Sequence, residues 1–307
     1  MRWSEVESLY NEDKEIVQRI VCRWQKTYNV VGLPIAVRSN SPKFMAQFDE
    51  VFRRLGVPRQ DKAQLVYSVI VDRRGRSSSR CNYILKGDRI SFKTANYGEL
   101  LSKLERDIEG SVMRKLFDHY LIHAGVVARY GKGLILPAGP GKGKTTLVAA
   151  LLERGFQYLC DDFAIIDPVS LKVLPFPKSL CFEGDGLEFF PNLRAHATAT
   201  DWTANGEVWP VWYVDPLEVG PGGLGEASSV KYIIFPEHDH FRETRLTRLS
   251  KAKAVLGLAE NLLNFDFFGK AVVDPLINLV ENSECFKLSV GKPGDGAALI
   301  CELIKGG

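Results

Sequence analysis

The sequence has little net charge, no long apolar run and no paired cysteines. Its 40 Lys and Arg residues against 37 Asp and Glu residues leave a net charge of +3 over 307 residues. Nucleic-acid binding draws much of its affinity from a basic surface, so this balance argues against a nucleic-acid partner. Acidic residues occupy the N-terminal positions where a signal peptide would be apolar, and no stretch of about 18 apolar residues follows. We therefore expect no membrane partner and a cytoplasmic location.

The six cysteines are scattered, without a C-x-x-C pair or a matching histidine spacing. This pattern argues against a zinc site and against a disulfide framework, and we expect the thiols to be reduced. The hydrophobic and charged fractions, 45% and 25%, are those of an ordinary globular protein, and the length suggests about two domains. Changes in the residue pattern along the chain predict an N-terminal α+β domain over residues 1–115 and a second domain over residues 116–307. We expect the N-terminal domain to serve in substrate recognition or assembly.

Hydrophobic periodicity predicts the elements of the N-terminal domain. The predicted helices cover residues 1–30, 42–55 (ended by Gly56 as a C-terminal cap) and 97–120, and the predicted strands cover residues 29–38, 64–72 and 81–94. The last helix is expected to join the two domains. The polar, basic segment 73–80 predicts a solvated hairpin loop, with phosphate or peptide binding as the alternative.

The second domain begins with a predicted strand hairpin, with its turn at Gly131-Lys132-Gly133. A Gly-rich loop, a helix from about Lys144 to Arg154 and the apolar strand FQYLC follow. Farther on, KYIIFP predicts a strand, AKAVLGLAENLLNF a helix, and PLINLVENSECFKLSV a helix that leads into a strand.

The most specific motif is the Gly-rich segment AGPGKGKT, which has the form [AG]-x4-G-K-[ST]. Glycines let successive N–H groups turn inward, and the helix N-terminus that follows favours an anion. Lys144 would reach the β- and γ-phosphates of ATP, and the Thr145 hydroxyl would bind Mg²⁺. The alternative is a Gly-rich connection with an exposed Lys. The predicted nucleotide-binding residues are Gly139, Pro140, Gly141, Lys142, Gly143, Lys144, Thr145 and Thr146.

Two acidic residues, Asp161 and Asp162, follow the predicted strand FQYLC. Ligands of open α/β sheets collect at the carboxyl ends of strands, so we expect both carboxylates to face the phosphates. Adjacent residues of a strand point to opposite faces, which suggests that one is a general base and the other a ligand of Mg²⁺ or water. A solvated turn after a strand is the alternative.

Residues 121–167 resemble the catalytic domain of the HPr kinase/phosphorylase family and its related kinases, and the likeness fades toward residue 265. It consists of His123 in IHAG, the hairpin, the AGPGKGKT loop, the helix ending in ERG and the strand closing with Asp161-Asp162. The resemblance implies an α/β fold, with a P-loop-containing, HPr-kinase-like (PEP-carboxykinase-like) mixed-sheet catalytic domain and a smaller α+β N-terminal domain. It also implies roles in catalysis or Mg²⁺ binding for His123, Lys144, Thr145 and Asp162, with Asp161 assisting. Without the resemblance, His123 would be taken as a buried strand histidine.

Two further residues match the family less closely. The family's Glu-Ile-Arg-Gly-Leu-Gly stretch, which provides an Mg²⁺ ligand, has its nearest counterpart here in CFEGDGLE. Glu183 is the predicted ligand, with Asp185 and Glu188 as alternatives. The family uses that stretch also for phosphorylase activity and for recognition of HPr, so the poor match argues against both here. The family places basic residues of a later segment near the nucleotide, which implies a catalytic role for Arg245 in RETRLTRLSK.

The overall plan is similar to HPr-kinase-like proteins of peptide-modifying gene clusters, including lasso-peptide kinases. This implies an ATP- and Mg²⁺-dependent serine kinase that acts on a protein or peptide and can form a homo-oligomer. Asp162 would accept the hydroxyl proton, and Thr145, Asp161 and Glu183 would bind Mg²⁺. The alternatives are a small-molecule kinase on the same fold and a non-catalytic nucleotide-sensing module. The paired aspartates argue against the sensor, because sensing needs no base.

Overall fold

The fold was analysed in a computed structural model. It describes residues 20–57, 62–72, 81–202, 207–238 and 243–306. These residues form two compact units, one that ends at Val112 and also includes Ala197–Val211, and one made of Met113–His196 and the chain from Trp212 onward. Both contain helices and mixed sheets, so the chain is of the mixed α/β class. Residues 197–211, which the sequence assigns to the second domain, belong to the first unit.

The strands of the first unit are β1 (Trp24–Val30), β2 (Leu33–Ser39), β3 (Gly56–Val57), β4 (Leu65–Ile70), β5 (Asn82–Lys86), β6 (Arg89–Thr94) and β13 (Ala197–Trp202). The first six form a sheet with the order β3-β1-β2-β4-β5-β6. The β2–β4 pair is parallel and the other pairs are antiparallel. The helices are α1 (Pro42–Phe52), extended by the 3₁₀ turn Arg53–Leu55, and α2 (Glu99–Lys115), which runs into the second unit.

Three predictions for this part of the chain are wrong in part. The helix predicted over residues 1–30 gives way to β1, because a left-handed turn at Val31-Gly32 folds this segment against β2. Gly56 caps the C-terminus of the helical segment after Leu55, as predicted, but with a φ of −62° rather than a left-handed conformation, and it starts β3. The strand predicted over residues 81–94 is a hairpin, and the helix predicted over 97–120 ends at Lys115. Residues 1–19 and the basic segment 73–80 lie outside the described residues.

The second unit contains an eight-stranded mixed sheet in the order β11-β10-β7-β8-β15-β17-β16, with β9 also paired to β7. Its strands are β7 (Tyr120–Arg129), β8 (Lys132–Pro137), β9 (Gln157–Cys160), β10 (Phe163–Ile166), β11 (Lys172–Leu174), β15 (Ser228–His238), β16 (Arg245–Arg248) and β17 (Glu284–Val290). Strand β12 (Leu180–Glu183) also lies in this unit, and β14 (Val208–Val214) runs into it from the first.

The helices of the second unit include one that follows the Gly-rich loop and one that ends the described chain. They are α3 (Lys144–Leu152), α4 (Pro216–Val219), α5 (Lys251–Glu260), α6 (Phe265–Phe268), α7 (Val273–Glu281) and α8 (Pro293–Gly306), with 3₁₀ turns at Gly186–Phe189 and Gly269–Val272. Helix α3 is hydrophobic on nearly all sides and buried, and it packs in the core with α8 and the sheet. No helix among the described residues is long and apolar enough to cross a membrane.

The hairpin β7–β8 carries the candidate site. Its turn lies at Tyr130-Gly131, where both residues have positive φ, rather than at the predicted Gly131–Gly133. Two successive positive φ values are typical of the two-residue turn that matches the twist of paired strands. On the side of β7 opposite β8, β10 pairs with the first half of the strand and β9 with the second half. The chain of β9 and β10 thus runs along β7 in one direction, interrupted only by Asp161 and Asp162.

Candidate functional site

The Gly-rich loop connects β8 to α3, as the motif predicts. Gly141 and Gly143 have φ values of 68° and 77°, a region that glycine enters at little cost. No side chain caps the N-terminus of α3 at Gly143, so the first-turn N–H groups are not taken by a capping group. A Cβ atom added at Gly139 or Gly141 would meet no atom within 4 Å. The loop thus has open space beside it and leads into an uncapped helix N-terminus, a combination that suits an anion.

Lys144 is the first residue of α3 and is 7% exposed. Its Nζ donates a hydrogen bond to the carbonyl oxygen of Gly139 at 3.0 Å, so the ammonium lies across the loop from which its own helix starts. Burial lowers the pKa of Lys144, while Asp162, Asp161 and Glu183 oppose that shift by their negative charge. The ammonium is thus positioned beside the loop and within the field of three carboxylates.

Asp161 and Asp162 occupy the two-residue break between β9 and β10. The N–H of Ala124 on β7 donates to the carbonyl oxygen of Asp162 at 3.1 Å, and Ala124 also pairs with Pro137 at the end of β8. The acids and the start of the Gly-rich loop therefore flank the same residue of β7, about two strand spacings or roughly 10 Å apart. The mixed sheet thus brings together the Gly-rich loop and the acid pair, which α3 and β9 separate along the sequence.

Asp161 is fully buried and accepts three hydrogen bonds. The Tyr158 hydroxyl donates to Oδ1 at 2.9 Å, and the N–H of Cys181 donates to Oδ2 at 2.9 Å. The Thr145 hydroxyl donates to the same Oδ2 at 3.2 Å. Burial and the neighbouring charge of Asp162 raise the pKa of Asp161 to about 7. The loop and the acid pair are therefore joined directly through Thr145 and Asp161.

Asp162 is partly exposed and forms an ion pair with Lys178, whose side chain is only 2% exposed. Burial would raise the pKa of Asp162, but the charge and hydrogen bond of Lys178, helped by Lys144 and His123, lower it. The two aspartates thus differ in environment, one enclosed in hydrogen bonds and one ionised beside a cation. The division of roles between them stays a prediction. Sequence analysis missed Lys178, although a lone cation within the otherwise apolar stretch FPKSLCF was a usable signal.

The segment 176–181 holds both acids in place. The N–H of Phe176 donates to the carbonyl oxygen of Leu159 at 2.9 Å, which fixes one end of the segment to β9. The other end is fixed by the N–H of Cys181 on Asp161. Lys178 stands between these two anchors, so the backbone delivers its ammonium to Asp162.

His123 lies on β7 next to Ala124, and its main chain is fully engaged. Its N–H donates to the carbonyl oxygen of Asn261 at 2.7 Å, and its carbonyl oxygen accepts from the N–H of Ala138 at 3.2 Å. Burial and the positive charge of Lys144 lower the pKa of His123 to about 4, while Asp162 opposes the shift. The imidazole is therefore neutral near pH 7 and can accept or donate a hydrogen bond without carrying charge.

The two remaining predicted residues lie differently. Glu183 ends β12 with an exposed side chain, and its charge reaches Lys144. Arg245 is exposed at the start of the edge strand β16, three strands from β8, and the structure does not bring it into this group. Asp185 and Glu188, the alternatives to Glu183, flank Gly186, at which an added Cβ would lie 3.3 Å from Cγ2 of Thr146.

The residues present fit a nucleoside triphosphate and a divalent cation. Main-chain donors with Lys144 suit phosphate oxygens, and the Thr145 hydroxyl beside the Asp161 carboxylate offers the oxygen ligands that Mg²⁺ prefers. Asp162 adds an ionised carboxylate as a proton acceptor. Comparison of the sequence with protein-family models and with curated proteins found no match.

Proposed function

We propose that the chain is an ATP- and Mg²⁺-dependent kinase of HPr-kinase-like fold that phosphorylates a serine hydroxyl of a protein or peptide. The observation that carries this proposal is the hydrogen bond from Thr145 in the Gly-rich loop to Asp161, which joins the anion cradle to the acid pair. Phosphate binding alone would not require two carboxylates beside the loop. Phosphoryl transfer uses both an anion site and a proton acceptor.

In this proposal ATP supplies the phosphoryl group. Thr145, Asp161 and Glu183 would hold Mg²⁺, which would offset the negative charge of the phosphates. The loop N–H groups and Lys144 bind the phosphates and hold them in line for attack. Asp162 accepts the proton of the serine hydroxyl as the new O–P bond forms and the bond to the leaving diphosphate breaks. Because its low pKa makes Asp162 a weak base, most of the rate enhancement comes from positioning and charge neutralisation.

Lys178 and His123 support these groups. The ion pair with Lys178 keeps Asp162 ionised and fixes the orientation of its carboxylate. His123, neutral and close to both Lys144 and Asp162, can hold a phosphate oxygen or the acceptor hydroxyl by a hydrogen bond. The nucleotide and the acceptor would thus meet above β7.

The test is mass spectrometry of Ser-containing peptides, beginning with those encoded beside the gene, after incubation with ATP and Mg²⁺. We expect one added phosphate with the wild type and none with Lys144→Ala. Asp162→Asn should bind ATP but lose turnover by about 100-fold or more, the usual contribution of a positioned proton acceptor. Lys172→Ala and Asp274→Asn, which change exposed residues of the same types, are the matched controls.

The outcomes separate the proposal from its alternatives. Full activity of Asp162→Asn would remove the base assignment. ADP release without a phosphorylated peptide would favour a small-molecule acceptor. ATP binding with neither transfer nor hydrolysis would favour a nucleotide-sensing module.

A further inference from the structure

A groove of about 660 Å³ opens in the second unit. Its size lies in the range of small-ligand pockets. The aromatic ring of Phe189 and the side chain of Leu299 give it an apolar lining, and charged side chains also line it. The lining residues relevant here are Phe189, Glu243, Thr244, Lys292, Asp295 and Leu299.

The groove lies at the same sheet edge as the Gly-rich loop. Strands β8, β15 and β17 are neighbours and run parallel, so α3 after β8 and α8 after β17 both begin at this edge. Two strand spacings, roughly 10 Å, separate the two starting points. Helix α8 packs against α3 from its first turn, since a Cβ added at Gly296 would lie 3.4 Å from Cδ1 of Leu147.

One short 3₁₀ turn, Gly186–Phe189, connects the loop to the groove. Its first residue lies against Thr146 in the first turn of α3, as the 3.3 Å approach at Gly186 shows. Its last residue, Phe189, lines the groove and is 47% exposed. A ligand whose phosphates occupy the loop therefore meets Phe189 when it extends away from the acid pair.

The groove has the chemistry of a heteroaromatic ring site. A large exposed aromatic ring offers a stacking face, and Leu299 adds apolar contact. The carboxylates of Glu243 and Asp295, the Thr244 hydroxyl and the Lys292 ammonium can pair with the polar edge of a ring. Two of the lining side chains, Glu243 and Asp295, are carboxylates, which disfavours a bare polyphosphate in this groove.

We propose that this groove binds the purine base of the nucleoside triphosphate, with Phe189 as its stacking partner. This inference rests on the proposed function, because it requires that the Gly-rich loop hold the triphosphate. It assigns the donor to the nucleoside triphosphates rather than to pyrophosphate or polyphosphate. It also places the base of the nucleotide and the acceptor hydroxyl on opposite sides of α3.

Calorimetric titrations with ATP and with ribose 5-triphosphate test the inference, because the second ligand keeps the sugar and phosphates but lacks the base. We expect the wild type to bind ATP more tightly than ribose 5-triphosphate in the presence of Mg²⁺. Phe189→Ala should raise the Kd for ATP about tenfold, the scale of one lost aromatic–base stack, and leave the Kd for ribose 5-triphosphate unchanged. Leu256→Ala, which removes another exposed hydrophobic side chain, should change neither value.

Three results would overturn the inference. If the wild type binds the two ligands equally, the groove takes no base although the phosphate site stands. If Phe189→Ala leaves the Kd for ATP unchanged, or weakens both ligands equally, Phe189 is not a stacking partner. If the wild type binds neither ligand while it remains folded, the proposed kinase function fails and the base site fails with it.

Discussion

The ion pair between Lys178 and Asp162 gives the sharpest test of how the site is held together. Removing one partner of a buried pair costs about 3–5 kcal/mol, because a charge remains without compensation. Lys178 is 2% exposed and Asp162 is 32% exposed, so the two single substitutions are not equivalent. Asp162→Asn removes the carboxylate that is ion-paired with the more deeply buried ammonium and should cost about 3 kcal/mol, whereas Lys178→Met leaves a partly hydrated carboxylate and should cost about 2 kcal/mol.

The double variant tests whether these costs share one cause. With both charges gone we expect a loss of about 2 kcal/mol rather than the additive 5 kcal/mol, which gives a coupling of about 3 kcal/mol. Urea unfolding is followed by the fluorescence of Trp212, whose indole N–H donates to the carbonyl oxygen of Gly184, in proteins whose other four tryptophans are replaced by Phe. The exposed pair Lys287–Glu237 serves as the control cycle, with an expected coupling below about 1 kcal/mol. Additive losses at Lys178 and Asp162 would refute the reasoning.

Two other predictions concern the pH response and the packing of the same strand. The pKa of His123 is lowered from 6.5 to about 4 by burial and by Lys144, so the folded state loses stability as the pH falls from 6.5 toward 4. Between pH 7 and pH 5 the free energy of unfolding should therefore drop by about 1–2 kcal/mol more in the wild type than in His123→Gln. Parallel changes in the two proteins, measured by urea unfolding at both pH values, would contradict this. Gly125→Ala should destabilise the second unit by about 1–3 kcal/mol, because the added Cβ would lie 2.6 Å from Cγ2 of Val148. A melting temperature equal to that of the wild type would show instead that α3 can move away from the added methyl group.

The sequence predicts well those elements whose residues alone determine the local structure. The Gly-rich loop, the helix after it and the strand before Asp161 all occur where the pattern predicts them. The errors arise where pairing with a distant strand decides the outcome. Trp24–Val30 forms a strand because β2 folds back on it, and Tyr120 starts a strand because β10 pairs with it.

The candidate site shows the same division. Lys144, Thr145 and the two aspartates can be found from a motif and its spacing, since a loop, a helix and a strand in succession bring them near one edge. Lys178 could not be placed in this way, because its position depends on the segment 176–181, which is hydrogen-bonded to β9 and to the Asp161 side chain. The neutral state of His123 likewise results from burial, which a single sequence does not display.

The collinear course of β9 and β10 along β7 constrains the chain length at the acid pair. Cys160 pairs with Val126 and Phe163 pairs with His123. Because both pairs are fixed on β7, the number of residues between Cys160 and Phe163 is fixed at two. One inserted or deleted residue would shift β10 by one position and exchange its inward and outward faces. Side chains at positions 161 and 162 can thus be varied without a change of strand register, whereas their number cannot be changed without rebuilding the sheet.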